Sequence, residues 1–263
     1  MNLYKADLHI HTCLSPCADI DISPLRIIRA AKERNLDIVG ICDHNSGENV
    51  AAAKRAAERE GVVVIGGMEI TSAEEVHLLA LFTDDAALLA MQTLVYAHLP
   101  DDQNNARRFG DQVVANEDDE VVDFNTRLLI GATTLSIETL VKEIHTLNGL
   151  AIAAHIDREG FGIIGQLGFI PPGLALDAVE VSYRGTIMEF CDQGFPIITS
   201  SDAHRLEDIG RSSTQFLLEA ATLPEIRKAL NGEDRRNCSG AKVSQGKSTG
   251  IECKEDVKER RHS

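Results

Sequence analysis

The 263-residue chain carries 41 acidic against 26 basic side chains, a formal net charge of -15, and 43% of its residues are hydrophobic. That composition excludes a disordered chain and suits one large α/β domain or two small ones. No apolar run is long enough to span a bilayer, the N-terminal MNLYKADLHIH turns polar too early for a signal peptide, which points to the cytoplasm, and the acidic excess argues against duplex nucleic acid, which is held mainly through Lys and Arg.

Taken in chain order, apolar runs alternate with helical patterns. Residues 3–10 read as a strand. Ser23-Pro24 reads as an N-cap followed by proline at the first helical position, opening a helix over 25–34. A short buried strand over 36–42, an Ala-rich helix over 49–59 and a strand over 62–70 follow. Residues 76–82 read as a strand and 84–97 as a helix. Ser136 is placed to cap a helix over 136–147, which Gly149 ends. Further strands are expected over 150–154, 178–182, 196–199 and 213–218, with a closing helix over 223–230. Strands alternating with helices predict a parallel sheet, open or closed into a barrel.

Two stretches stand apart. Residues 100–134 are polar and carry the run Glu117-Asp118-Asp119-Glu120; they read as an insertion, with two readings open, a helical cap over the site or a solvated excursion. From Gly232 to Ser263 the chain is charged and nearly free of large apolar residues, which predicts a disordered tail, leaving 1–231 as the domain. Within that tail Gly246-Lys247-Ser248-Thr249 lacks the upstream glycine and preceding strand of a phosphate loop, so that reading is rejected. The six cysteines are expected as reduced thiols, and Cys13 and Cys17 have no second pair at zinc-finger spacing.

Most of the expected strands end in a residue that can bind a metal. The first ends at His9 and His11, whose spacing of two puts both side chains on one face of a strand. The next ends at Asp43-His44, the third at Glu69, a later one at His155, and the strand over 196–199 runs into Asp202 and His204. In a parallel α/β barrel these C-terminal ends share one face, where active sites form. Clustered ionisable groups repel one another and lose hydration, and a divalent cation supplies the compensation. Imidazole with carboxylate suits zinc, iron or manganese better than calcium or magnesium.

These residues carry a family resemblance. Asp7-Leu8-His9-Ile10-His11-Thr12, Cys42-Asp43-His44-Asn45, Gly67-Met68-Glu69-Ile70, Val76-His77-Leu78-Leu79, Ala154-His155 and Ser201-Asp202-Ala203-His204 occur in the order found in the polymerase and histidinol phosphatase (PHP) superfamily of phosphoesterases, which the sequence resembles. The resemblance implies a distorted barrel of about seven β/α units, a variant of the eightfold TIM barrel, with two or three divalent metals (Zn, Mn or Fe). It implies a first metal on His9, His11, Glu69 and Asp202. A second would share Glu69 and take His77 and His155, with His98 as the alternative; a third would take Asp19, His44 and His204. Glu69, Asp202 and His204 are the implied catalytic set, with Glu69 as the bridge. The residues alone would read His77 as a core histidine and His98 as a helix-end surface group. Asp43 is a candidate carboxylate for orienting a ligand histidine.

The chemistry follows from the metals, which lower the pKa of bound water from 15.7 to roughly 7 and offset charge on the phosphoryl oxygens. Arg158, Arg184 and Arg205 are candidate phosphate clamps. Cys13 and Cys17 read as loop packing. The expected function is hydrolysis of a phosphate ester of a small metabolite or nucleotide, with an exonuclease on short oligonucleotides and a non-catalytic metal-binding regulator as rivals.

Overall fold

The computed structural model describes residues 1–182, 185, 190 and 194–239. Among these, eleven strands and seven α-helices are found. A nine-stranded sheet has the order β11-β10-β1-β2-β3-β4-β7-β8-β9. Its members are β1 (Asn2–Ile10), β2 (Ile38–Ile41), β3 (Val63–Thr71), β4 (His77–Phe82), β7 (Leu150–Ala153), β8 (Ala178–Val181), β9 (Ile197–Thr199), β10 (Thr214–Leu218) and β11 (Asn237–Cys238). From β1 to β9 along the sheet there are seven strands, and the last curls back to the first: Ile10 bridges Ala203, and the His11 amide donates to the Ala203 carbonyl at 3.0 Å. The sheet is thus a nearly closed, distorted barrel. Beside it, β10 runs antiparallel along the first half of β1, and the Thr199 amide donates to the Thr214 hydroxyl at 2.8 Å.

The expected parallel sheet is corrected at β4, which runs antiparallel to both of its neighbours, β3 and β7, and at the edge, where β10 and β11 also pair antiparallel. Only five residues, Ser72–Val76, separate β3 from β4, too few for a crossover helix, so a hairpin is what the chain can make there.

Side-chain alternation divides the core into two layers. Ile38, Ile65, Leu79, Leu81, Leu150, Ile152, Ala178 and Ile198 fill the barrel interior, joined by Leu223, Ile226 and Leu230 of α7 (Leu223–Asn231). Their strand neighbours Val39, Ile41, Met68, Ile70, Leu78, Ala80, Ala151 and Val179 face outward with α1 (Pro24–Glu33), α2 (Val50–Glu58), α3 (Asp85–His98) and α5 (Ile137–Thr146). On α1 the apolar residues Leu25, Ile27, Ile28 and Ala31 supply the buried stripe. Proline stands at the start of α1, but the Ser23 side chain makes no cap bond. Ser136 does cap α5, accepting from the Thr139 amide, and Asp84 does the same for α3 at Ala87. Asn148, rather than Gly149, takes the left-handed conformation after α5 (φ 56°). Where β1 meets β2 the register slips between Asp7 and Ile10, a bulge that presses the Leu8 backbone onto Gly40; a Cβ there would overlap the Leu8 carbonyl.

The stretch over 100–134 is chiefly a hairpin: a single helical turn, α4 (Ala106–Phe109), precedes β5 (Val113–Ala115) and β6 (Val121–Phe124), which pair antiparallel. The run Glu117–Glu120 is the hairpin turn, with Glu117 paired to Arg55 on α2 and Asp118 to Arg59 at the C-cap of that helix. Its valines, not its charges, set the strand structure. The hairpin packs on the loops that follow β1 and β2: the Val113 amide donates to the Cys13 carbonyl, and Asn49 bonds Val113 and Ala115.

The disordered tail expected from Gly232 is corrected over residues 232–239. Residues 232–239 are built into the fold, because Arg236 is buried against Glu225 (2.6 Å) and Glu219 (3.0 Å) while Cys238 pairs with Phe216 in the sheet. Residues 240–263, and with them Gly246-Lys247-Ser248-Thr249, lie outside the described residues. No helix among the described residues is long and apolar enough to cross a membrane. Cys13, Cys17 and Cys42 are free thiols.

Candidate metal centre

The mouth of the barrel gathers a buried cluster around Glu69, the penultimate inward-facing position of β3. Its carboxylate lies 3.5 Å from His9, 3.4 Å from His11, 3.1 Å from His44, 2.8 Å from His77 and 3.0 Å from His155. Asp202, in the loop after β9, completes one side, with Oδ1 3.4 Å from His9 and 3.1 Å from His11. The His204 ring stacks on His11 at 4.1 Å.

The reversed β4 explains how His77 joins this set. In parallel strands the mouth is reached at the C-terminal end; in β4 it is reached at the first residue, and that residue is His77, paired with Thr71 in register. It is an inward-facing position two before Leu79, so the strand that ends away from the site begins inside it.

Hydrogen bonds fix which nitrogens point inward. His9 Nδ1 donates to Glu180 Oε1 at 3.0 Å, leaving Nε2 toward Glu69 and Asp202. His11 Nδ1 donates to the Ser15 hydroxyl at 2.9 Å, and Ser15 donates to Asp43 at 2.7 Å. Asp43 also accepts from the Thr12 amide and hydroxyl, so it orients His11 through Ser15 rather than by touching a histidine. The two Nε2 atoms of His9 and His11 then face each other at 3.1 Å. Such a pair needs either a proton or a cation between lone pairs.

The electrostatics agree. Burial alone would lower His9 and His11, but the carboxylates outweigh it: Glu180, Asp202 and Glu69 hold His9 well above its ordinary value, and Asp202 and Glu69 bring His11 to about 9. Burial would raise Glu69, yet His77, His9 and His44 hold it well below the usual carboxylate range. His44 is pushed far down by burial, and burial with the neighbouring His11 brings His204 to about 4, so these two are neutral donors at pH 7. Two of the cluster residues, His155 (φ 29°) and Asp202 (φ 49°), adopt positive φ.

The residues fit divalent cations. Three groups offer one donor atom each within 4.8 Å: His9, His11 and Asp202; His44, Glu69 and His77; and His11, His44 and His204. His155 meets the same Glu69 oxygen as His77, while its own buried Nδ1 has no hydrogen-bond partner. The donors are imidazoles and carboxylates, with Glu180 behind His9 and Ser15 behind His11, the arrangement in which metal-ligating histidines are held.

Other expected residues lie elsewhere. Asp19 is exposed, with its carboxylate 3.6 Å from Arg205, and only its backbone reaches the cluster, through the His204 carbonyl. His98 closes α3 and donates to the Leu94 carbonyl. Arg158 reaches Asp202 Oδ2 at 2.7 Å and lines an open cleft of about 470 Å³ with Asp157, Ser182, His204, Asp208 and Arg211. Arg205 is not part of that lining, and Arg184 lies outside the described residues. Cys13 packs against Val113, its thiol pushed by burial to about 12. Cys17, in the same loop, is exposed.

Two residues escape sequence reading: Glu180 and Arg211. For Glu180 the signal was present, since a carboxylate in Ala178-Val179-Glu180-Val181 is the one charge in an apolar strand, on the same face as Ala178.

Comparison with known proteins is consistent with this geometry. The family model described as PHP domain matches residues 7–160, and one described as PHP-associated matches 192–233. A 5'-3' exoribonuclease of Haemophilus influenzae is 25% identical over 190 residues, covering 57% of this chain and 68% of that protein. A phosphoribosyl 1,2-cyclic phosphate 1,2-diphosphodiesterase of Eggerthella lenta is 28% identical over 86 residues, 31% of this chain and 32% of its own. Two other curated relatives are spanned over 27% and 52% of their length. Among solved structures, the lesion-specific endonuclease Q of Pyrococcus furiosus superposes with a TM-score of 0.69 at 18% identity, over 90% of this chain and 58% of that one. Endonuclease Q in complex with a 27-mer duplex carrying an abasic lesion gives 0.67 at 17% identity, over 92% and 60%.

Proposed function

Since the chain belongs to the PHP domain family, we propose that it is a metal-dependent hydrolase of phosphate esters whose substrate is a small phosphorylated metabolite or nucleotide. The observation that carries this is Glu69, a buried carboxylate within 3.5 Å of five imidazoles, a charge arrangement that a set of cations resolves. His9, His11, Glu69 and Asp202 would hold one metal, Glu69, His77 and His155 a second, and His44 with His204 a third. Bound cations would supply an acidified water and would offset charge on the phosphoryl oxygens.

The chain's own residues do the rest. Glu180 and the Asp43–Ser15 pair fix His9 and His11 in one tautomer, so no reorientation is needed when a ligand arrives. Glu69 stays ionised and able to bridge. Arg158 is held at Asp202 in a cleft that opens from the cluster, where a phosphate oxygen can replace Asp202 as its partner. His204 lines the same cleft, and its Nδ1 donates to the Asp202 carbonyl, which leaves Nε2 as the atom that can meet a cation.

A second reading, an exonuclease on short oligonucleotides, draws support from the Haemophilus influenzae exoribonuclease, which aligns in sequence over 57% of this chain. Duplex substrates return to consideration as well. The net charge of -15 sums the whole surface, whereas Arg158 and Arg211 line the cleft itself, and endonuclease Q shares the fold and is seen with duplex DNA. The convergence of six expected histidines with Glu69 and Asp202 weighs against a purely regulatory protein, with Asp19 alone of the expected ligands lying outside the cluster.

The deciding experiment is elemental analysis of freshly purified protein, combined with hydrolysis of an aryl phosphate monoester and diester. Two or three transition-metal equivalents and chelator-sensitive hydrolysis, lost in His9→Ala and Asp202→Ala, are expected. Protein that cannot be loaded and hydrolyses neither ester would overturn the reading.

A further inference from the structure

Phe161 sits in the loop after β7, three residues beyond Arg158, and its ring lies on the His77 imidazole with centroids 4.4 Å apart and planes at 19°. One face is thereby covered, yet the residue is 42% exposed, so the exposure belongs to the other face and the ring edge. Its backbone has φ 62°, a conformation that costs a bulky side chain energy and that a glycine would adopt freely. Glycines stand on both sides, at 160 and 162, but the strained position carries the aromatic ring.

The loop is held firmly. The His77 amide donates to the Phe161 carbonyl at 2.9 Å, the Arg158 amide donates to the His155 carbonyl at 2.9 Å, and Gly162 packs so closely on the Arg158 and His155 carbonyls that a Cβ would overlap them. The same short loop therefore presents a cation at Asp202 and an open aromatic face beside His77, bracketing the cluster. A rigid, half-exposed ring next to a phosphate-binding centre is suited to a flat partner, because aromatic faces attract stacked rings.

We propose that Phe161 is a specificity-determining residue: its outer face is the platform on which a planar ring of the ester's alcohol portion, such as a nucleobase, stacks while the phosphate is at the cluster. This rests on the phosphoesterase reading above. Phe161 does not take part in bond making; it positions the alcohol portion.

The test compares adenosine 5'-monophosphate with ribose 5-phosphate, esters with the same phosphate and the same primary alcohol that differ in the base. Metal-loaded wild type, Phe161→Leu, Phe161→Tyr and Phe161→Gly are assayed for KM and kcat, for binding of both compounds by calorimetry, and for metal content. Phe161→Gly keeps the backbone conformation and guards against a folding failure. In Phe161→Leu and Phe161→Gly, KM for the nucleotide is expected to rise about tenfold, the size of one base–aromatic stack. In both, kcat, metal content and both constants for ribose 5-phosphate stay within about twofold, and Phe161→Tyr restores the nucleotide KM. Equal losses on both esters, or loss of metal, would assign Phe161 to support of His77 alone and overturn the inference, as would an unchanged nucleotide KM. If wild type hydrolyses neither ester, calorimetry decides independently: nucleotide binding weakened in Phe161→Leu sustains the platform while the hydrolase reading falls, and nucleotide binding that is absent or indifferent to Phe161 overturns it.

Discussion

His9 donates a hydrogen bond from Nδ1 to Glu180 Oε1 at 3.0 Å, and both side chains are fully buried within the barrel. This contact commits His9 Nε2 to the cluster. Glu180→Gln keeps the shape but removes the charge that favours the protonated Nδ1. Affinity for the metal at His9, His11 and Asp202 should fall by about 10- to 100-fold, the usual effect of losing a partner behind a ligand. Competition with a metal-binding dye would measure it, and unchanged affinity would show that Glu180 serves packing only.

Asp19 and His204 separate two ways of completing a third site. Asp19 is exposed and paired with Arg205, whereas His204 stacks on His11. Asp19→Ala should leave metal content unchanged and kcat/KM within about twofold, and His204→Ala should lose more than the 10- to 100-fold seen when an outer partner is removed. Elemental analysis with steady-state kinetics on both variants checks the contrast; a metal lost from Asp19→Ala would return Asp19 to the ligand set.

The metal-free protein should be pH-sensitive in a defined direction. His11 is raised from 6.5 to about 9 by Asp202 and Glu69 acting against burial. A basic group with a raised folded value contributes stability that is fully present below its unfolded pKa and is lost as pH rises through the folded one. Thermal unfolding of chelator-treated protein should therefore show Tm falling between pH 6.5 and about 9, less steeply in His11→Asn. Metal loading at pH 7 should release protons, measurable in weak buffer, because the ligand must give up its proton to bind.

Gly40 tests the bulge that delivers His9. A Cβ at that position overlaps the Leu8 backbone, which cannot swing aside as a side chain would. Gly40→Ala should destabilise the fold by about 3 kcal/mol, the upper range of ordinary overpacking, as read from denaturant unfolding. A smaller loss would mean that β1 and β2 can separate without disturbing the site.

Much of the centre was legible because parallel strands deliver their last residues to one face. His9, His11, Glu69, His155 and Asp202 all follow that rule. His77 does not, because a local pattern cannot reveal the direction in which a strand runs; five residues between two strands was the available clue. Asp19 and His204 could not be ranked by spacing, since loop geometry decides which side chain turns inward. The hairpin over 113–124 was hidden by its charges, although Val113-Val114 and Val121-Val122 have strand character. Arg236 was read as tail because its partner Glu225 lies on a helix whose burial only the fold discloses.

The reversal of β4 also changes where the chain can be extended. In a regular β/α alternation each helix returns the backbone to the end opposite the catalytic face. Here β4 descends, α3 climbs, and the chain emerges beside the mouth, where the Thr134 amide meets the His98 carbonyl and the Thr133 amide meets that of Thr71. The 35 residues between Leu99 and Ser136's predecessor are thus spliced in at the rim, tied down by Asn45 donating to the Leu129 and Gly131 carbonyls. One inverted strand creates an attachment point at which length and sequence can vary, reshaping what enters the barrel while the seven strands and their ligands stay as they are.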